Sequence, residues 1–206
     1  MTKKIIDITM ELGGTTPEWP GDVPFQFQLS VTKEQSGSVN VGQFTTSSHI
    51  GTHIDAPFHY DGAGIKIDEL PLDVYMSTAQ VMDVRGVSEI ARDHLKQPEP
   101  GVTTVLLKTD FWTDRSVFPH DWPLFDPSIA EWMKEHGIRL LGVDLPSVDS
   151  ETSKELPMHQ AMNRNARFIL EGIILIEVPE GVYQLAALPL KIKGADGSPV
   201  RAVLYE

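Results

Sequence analysis

The stretch that most constrains this chain is His49-x-Gly51-Thr52-His53-x-Asp55-x-Pro57-x-His59, which holds three of the seven histidines within eleven residues. His49, His53, Asp55 and His59 are separated by four, two and four residues. Every interval is even, so in extended chain all four side chains point to one face. A helix would scatter them, and Pro57 would break one there. A straight strand does not suffice either. At ~3.3 Å per residue His49 and His53 would stand about 13 Å apart, near the limit that two imidazoles can bridge. The chain must therefore curl between them, and Gly51 lies midway as the residue best able to bend.

Imidazoles with a carboxylate are a donor set for Zn²⁺, with Mn²⁺ also possible, when no thiolate is at hand. None is at hand here, because the chain has no cysteine, which also excludes disulfides and a cysteine nucleophile. Three protein ligands would leave a position for a water whose pKa falls to about 7 on zinc.

At 206 residues the chain is most simply one domain, residues 1–206, with enough length to bury a large core. Its net charge of −12 argues against a nucleic-acid partner and against anionic membrane surfaces. No apolar run approaches the roughly 18 residues that span a bilayer. Residues 1–7 carry no apolar signal region, so the expected compartment is the cytoplasm.

Strands are expected at 5–9, 25–32, 40–48, 77–84, 103–109, 139–144, 173–177, 183–192 and 200–205. The 25–32 stretch alternates apolar and polar residues as a half-buried strand would. Helices are expected at 88–97, at 128–136 ended by Gly137, and at 153–163. Strands outnumber helices without strict alternation, which describes a mixed-sheet α/β or α+β domain. Residues 11–22 form a Gly/Pro-rich loop carrying Trp19, either a pocket wall or an ordinary surface crossing.

Further ligands must come from elsewhere. His94, His120 and His136 read as ordinary histidines, in a charged helix, a Pro-rich loop and a helix's last turn. His159 follows the end of the 139–144 strand, where α/β sites gather. Glu171 precedes an apolar run, and a carboxylate buried there needs a partner. On the residues alone each is a candidate ligand, with an ordinary structural role as the alternative.

The histidine stretch is the signature His-x-Gly-Thr-His-x-Asp-x-Pro-x-His of the metal-dependent cyclase-family hydrolases, matched at every fixed position. Residues 16–22, 144–159, 168–171, 187–190 and 198–204 resemble the bacterial kynurenine formamidases (arylformamidases) more narrowly, so the likeness covers essentially the whole chain. The resemblance implies an α/β domain with a mixed, barrel-like sheet and flanking helices, of swivelling β/β/α type. It also implies two zinc ions per chain and a homodimer. His49, His53 and Asp55 would bind the first zinc and His159 the second. Asp55 and Glu171 would bridge them, His59 would be the acid/base, and Trp19 would contact substrate. The implied reaction is hydrolysis of N-formyl-L-kynurenine to L-kynurenine and formate, with a metal-bound hydroxide attacking and His59 protonating the leaving nitrogen. The rivals are an isatin hydrolase or cyclic amidase of the same family, and a non-catalytic metal- or ligand-binding protein. A serine hydrolase is disfavoured, since no Gly-x-Ser-x-Gly occurs.

Overall fold

A computed structural model describes residues 4–206. Residues 1–3, on which the expectation of no signal region partly rests, lie outside them. The strands are β1 (Ile5–Asp7), β2 (Gln26–Val31), β3 (Val41–Thr45), β4 (His53–Asp55), β5 (Met76–Asp83), β6 (Glu89–Ile90), β7 (Thr104–Lys108), β8 (Leu124–Phe125), β9 (Leu140–Val143), β10 (Phe168–Glu171), β11 (Gly181–Ala186), β12 (Gly197–Pro199) and β13 (Val203–Tyr205). The α-helices are α1 (Lys33–Ser36), α2 (Ser128–Glu135) and α3 (Pro157–Arg164).

Nine strands form one mixed sheet in the order β1-β13-β11-β5-β7-β9-β10-β4-β12. The central four, β5, β7, β9 and β10, are parallel, and both flanks are antiparallel. The sheet curls on itself into a half-barrel. Past β1, Ile8 donates to Ala202 O and accepts from Ile174 N, and Met10 N reaches Thr52 Oγ1 beside β4. One edge of the sheet is thereby tied toward the other.

Alternation along the strands sorts the core into two layers. Val81, Leu106, Leu140, Leu170 and Ile54 face one side of the sheet, where they cluster with Ile8, Tyr75 and Leu204. Met82, Val105, Leu107, Leu141 and Ile169 face the other side, where Ile129 and Met133 of α2 and Met158 and Met162 of α3 cover them. The expected single α/β domain with flanking helices is what forms.

Several expected elements differ. Residues 88–97 form no α-helix but β6 and a 3₁₀ turn at Arg92–His94. The carbonyls of Ser88 and Ile90 accept from Leu124 N and Asp126 N, so they are not free for helical bonds. Helix α3 starts at Pro157, four residues later than expected. Proline suits a helix's first position and drives its predecessor out of helical conformation, and Leu156 has φ +47°. Residues 173–177 are not a strand. The strand is β10, and Gly172, at φ +66°, ends it. β11 stops at Ala186, before Pro189. The pair β2–β3 is a two-stranded ribbon outside the main sheet, so Phe27 and Leu29 remain 62% and 46% exposed rather than half-buried.

Candidate metal centre

The centre is built at the β4–β10 pair. His53 lies opposite Glu171 in antiparallel register, and Asp55 lies two residues along the same face. The Gly51-Thr52 pair shapes the approach. Gly51 takes φ +58°, the bend that the spacing demands. The Thr52 hydroxyl donates to Gly172 O (2.7 Å) and accepts from Met10 N (2.8 Å). That hydroxyl fastens the turn before β4 to the residue after Glu171.

His53 Nε2 lies 3.3 Å from Glu171 Oε2 and 3.5 Å from Asp55 Oδ1. His159, from the first turn of α3, places Nε2 3.3 Å from Asp55 Oδ2 and 3.9 Å from Glu171 Oε1. His49 brings Nδ1 within 2.9 Å of Asp55 Oδ1. Five side chains named from the sequence therefore converge, although 122 positions separate His49 from Glu171. Asp55 is common to two possible donor sets, His49–His53–Asp55 and Asp55–His159–Glu171.

The opposite ring nitrogens are also held. His53 Nδ1 meets Gly51 O at 3.0 Å, and His159 Nδ1 meets Asp149 Oδ2 at 2.7 Å. Asp149 is fixed in turn by the backbone N–H groups of Met158 and His159, and Glu171 Oε1 accepts from Val148 N. Such outer contacts fix which nitrogen faces the centre.

The electrostatics fit a divalent cation. Asp55 and Glu171 are fully buried carboxylates side by side. Burial and the neighbouring Asp55 charge raise the Glu171 pKa. Burial works against charge on Asp55 too, but its hydrogen bonds to His159 and His49 hold its pKa well below the ordinary value. Burial opposes charge on the imidazoles of His49 and His159. Hydrogen bonds to Asp196 and Asp55 for the first, and to Asp149 and Asp55 for the second, prevail and raise both to about 10. Without a metal, these protons balance the carboxylates; a cation bound by the same atoms would replace them.

His59 stands outside the two buried donor sets, although with His49 and Asp196 it makes a third, more open one. It ends the 3₁₀ turn Pro57–His59 and keeps 35% of its side chain exposed. Its ring lies over that of His49 at 3.9 Å between centroids. Burial lowers its pKa from 6.5. Trp19, Trp112, Phe118 and Pro146 line a small crevice of about 10 Å³ whose lining also includes His49 and His53. Its ring packs edge-on against Phe118 and Trp122. His94, His120 and His136 lie in none of these donor sets.

Sequence reading missed Asp149, Asp196, Trp112 and Phe118. Asp149 sits in the post-strand segment that also carries His159. Asp196 had no signal, being one acid in a Gly-rich tail.

A model of the Cyclase family, described as "Putative cyclase", matches residues 6–150. The chain belongs to the cyclase family. It is 48% identical over 200 residues to a kynurenine formamidase of Geobacillus thermodenitrificans, covering 97% of this chain and 96% of that one. A solved structure described as a potential metal-dependent hydrolase with cyclase activity superposes with a TM-score of 0.84 at 25% identity, over 99% and 98% of the two chains. Isatin hydrolase A from Labrenzia aggregata shares the fold at a TM-score of 0.84 and 22% identity, over 98% and 93%.

Proposed function

We propose that this cyclase-family chain, residues 1–206 as one hydrolase domain, is a metal-dependent amidohydrolase that cleaves N-formyl-L-kynurenine to L-kynurenine and formate. One observation carries the reading: a buried three-histidine, two-carboxylate centre beside an aromatic crevice, in a chain nearly half identical to a kynurenine formamidase. The proposed cofactor is two zinc ions, with manganese the alternative. His49, His53 and Asp55 would hold one and His159 the other, with Asp55 and Glu171 reaching both. The sharing of Asp55 between donor sets supports that division.

A bound metal supplies Lewis acidity, polarising the formyl oxygen and lowering the pKa of water to about 7. The protein's own groups do the rest. His59 is half-open to solvent and its lowered pKa leaves it largely neutral at pH 7, so its imidazole can accept a proton from the attacking water. As the C–O bond forms and the C–N bond breaks, the same imidazole returns that proton to the anilide nitrogen, a poor leaving group until protonated. Trp19 would stack on or edge against the aryl ring and hold it beside His49 and His53.

The test is metal analysis with parallel assays of formylkynurenine and isatin on one preparation. Preference for isatin would favour the isatin-hydrolase reading, and bound metal without amide hydrolysis would favour a non-catalytic binder. A homodimer is proposed as the assembly, supported by the projecting β2–β3 ribbon with Phe27, Leu29, Val41 and Phe44 exposed. Sedimentation velocity would test it. No helix among the described residues is long and apolar enough to cross a membrane. The cytoplasm is the proposed compartment, to be tested by fractionation.

A further inference from the structure

Each histidine of the centre turns one nitrogen inward and gives the other to an acceptor. For His53 the acceptor is a carbonyl two residues away, and for His159 it is Asp149, ten residues away. For His49 it is Asp196, which comes from 147 residues further along the chain and contacts Nε2 at 3.1 Å. Asp196 immediately precedes β12, the edge strand beside β4, and its own carbonyl accepts from Ala56 N at 2.9 Å. Its Oδ1 accepts from Ser48 Oγ at 2.8 Å, which aims Oδ2 at the imidazoles. The next residue has no side chain for a steric reason, since a Cβ on Gly197 would fall 2.6 Å from His49 Cε1.

The same Oδ2 lies 3.8 Å from His59 Nδ1. Among the described residues no other carboxylate oxygen comes within 4.0 Å of a His59 ring nitrogen. At that distance the contact is one of charge and not a hydrogen bond.

We infer that Asp196 is a positioning residue that serves His49 and His59 together. It fixes the inward nitrogen of His49 by holding the outward one, and it stands beside the acid/base ring, which lies against that of His49 at a 34° tilt. This rests on the reading of His49 as a ligand and His59 as the acid/base. Carboxylates in this outer position typically contribute 10- to 100-fold to metal affinity or activity.

The test compares Asp196→Asn, Asp196→Glu and Ser48→Ala in the metal-loaded full chain. Asp196→Asn should keep its metal stoichiometry in excess zinc but release zinc to a chelator roughly tenfold more readily. Its kcat on formylkynurenine should fall about 10- to 100-fold with little change in KM. Asp196→Glu should recover part of both losses, and Ser48→Ala should show a smaller loss of the same sign. Unchanged chelator resistance and kcat in Asp196→Asn would overturn the inference. So would a rise in KM alone, which would make Asp196 a substrate contact, or loss of a metal equivalent, which would make it a ligand. If Asp196→Asn does not fold, wild-type behaviour of Ser48→Ala overturns it instead. Failure of the underlying reading shows elsewhere, as full activity in His59→Ala or full metal retention in His49→Ala.

Discussion

His53 and Glu171 face each other across the β4–β10 pair, with Nε2 3.3 Å from Oε2, although 118 positions separate them in the chain. Strand register alone brings an imidazole from the histidine stretch against a carboxylate from the far end of the molecule. Glu171 turns its other oxygen toward His159. Replacing Glu171 with Gln should therefore lower the metal content below that of the parent. Activity should fall at least by the roughly tenfold that losing an outer-sphere partner alone costs. Elemental analysis after desalting checks this, and full metal content in Glu171→Gln would refute a bridging role.

His59→Ala should behave oppositely. Its one possible donor set, with His49 and Asp196, is the open one and includes neither Asp55 nor Glu171, so metal content should match the parent. Turnover should drop about 10²- to 10⁴-fold, the usual contribution of a positioned acid/base. Retained turnover would remove His59 from the chemistry.

The contrast between these residues tracks what the sequence could reveal. His53 and Asp55 follow the even-spacing expectation, since they lie in extended β4, and His49 comes in through the bend at Gly51. His59 instead arrives on a 3₁₀ turn that the expectation of extended chain did not include. Gly51 does take the bend that spacing required. His159 and Glu171 were only candidates on their residues, because strand register and the β9–β10 crossover bring them in, and neither is written locally. Asp196 was invisible for the same reason. Among the secondary elements, α2 was legible from its flanking Pro127 and Gly137, whereas β6 and β8 exist only because each supplies the other's hydrogen bonds.

Protons and metal should compete for the centre. His49 and His159 have pKa values raised to about 10 in the metal-free protein, against an ordinary 6.5. Ligation needs their nitrogens free, so zinc affinity should rise with pH across pH 6–9 and binding should release protons. Calorimetry in buffers of different ionisation enthalpy would measure that release, and pH-independent affinity would contradict it. The same shifts govern the metal-free fold. Groups with raised folded pKa contribute stability that is full below 6.5 and lost as pH climbs through about 10. Asp55, lowered well below 3.8, contributes above 3.8 and loses its contribution on acidification. Metal-free protein should thus be most stable between those limits, and zinc should stabilise it increasingly toward alkaline pH.

Trp19→Ala should leave metal content unchanged, since the indole forms one wall of the crevice and lies in no donor set. Loss of an aromatic contact worth about 0.5–1.5 kcal/mol beyond buried area should raise KM for formylkynurenine severalfold. A non-aromatic formamide should lose far less. Equal losses for both substrates would point to disordering of the crevice instead of a missing ring contact.

Gly172 tests whether the centre depends on the turn that follows Glu171. Its φ is +66°, a region that costs a side-chain-bearing residue roughly 1–2 kcal/mol. A Cβ there would also collide with the carbonyl oxygen of Gly51. Neither backbone can retreat freely, because Gly172 O holds the Thr52 hydroxyl and Gly51 O holds His53 Nδ1. Gly172→Ala should therefore lower thermal stability by more than the conformational cost alone. It should also weaken zinc binding, since relief of the clash moves Gly51 and with it the acceptor that orients His53. Thermal melts with and without zinc separate the two effects. A variant destabilised equally in both states would show that the turn supports the fold but does not set the ligand geometry.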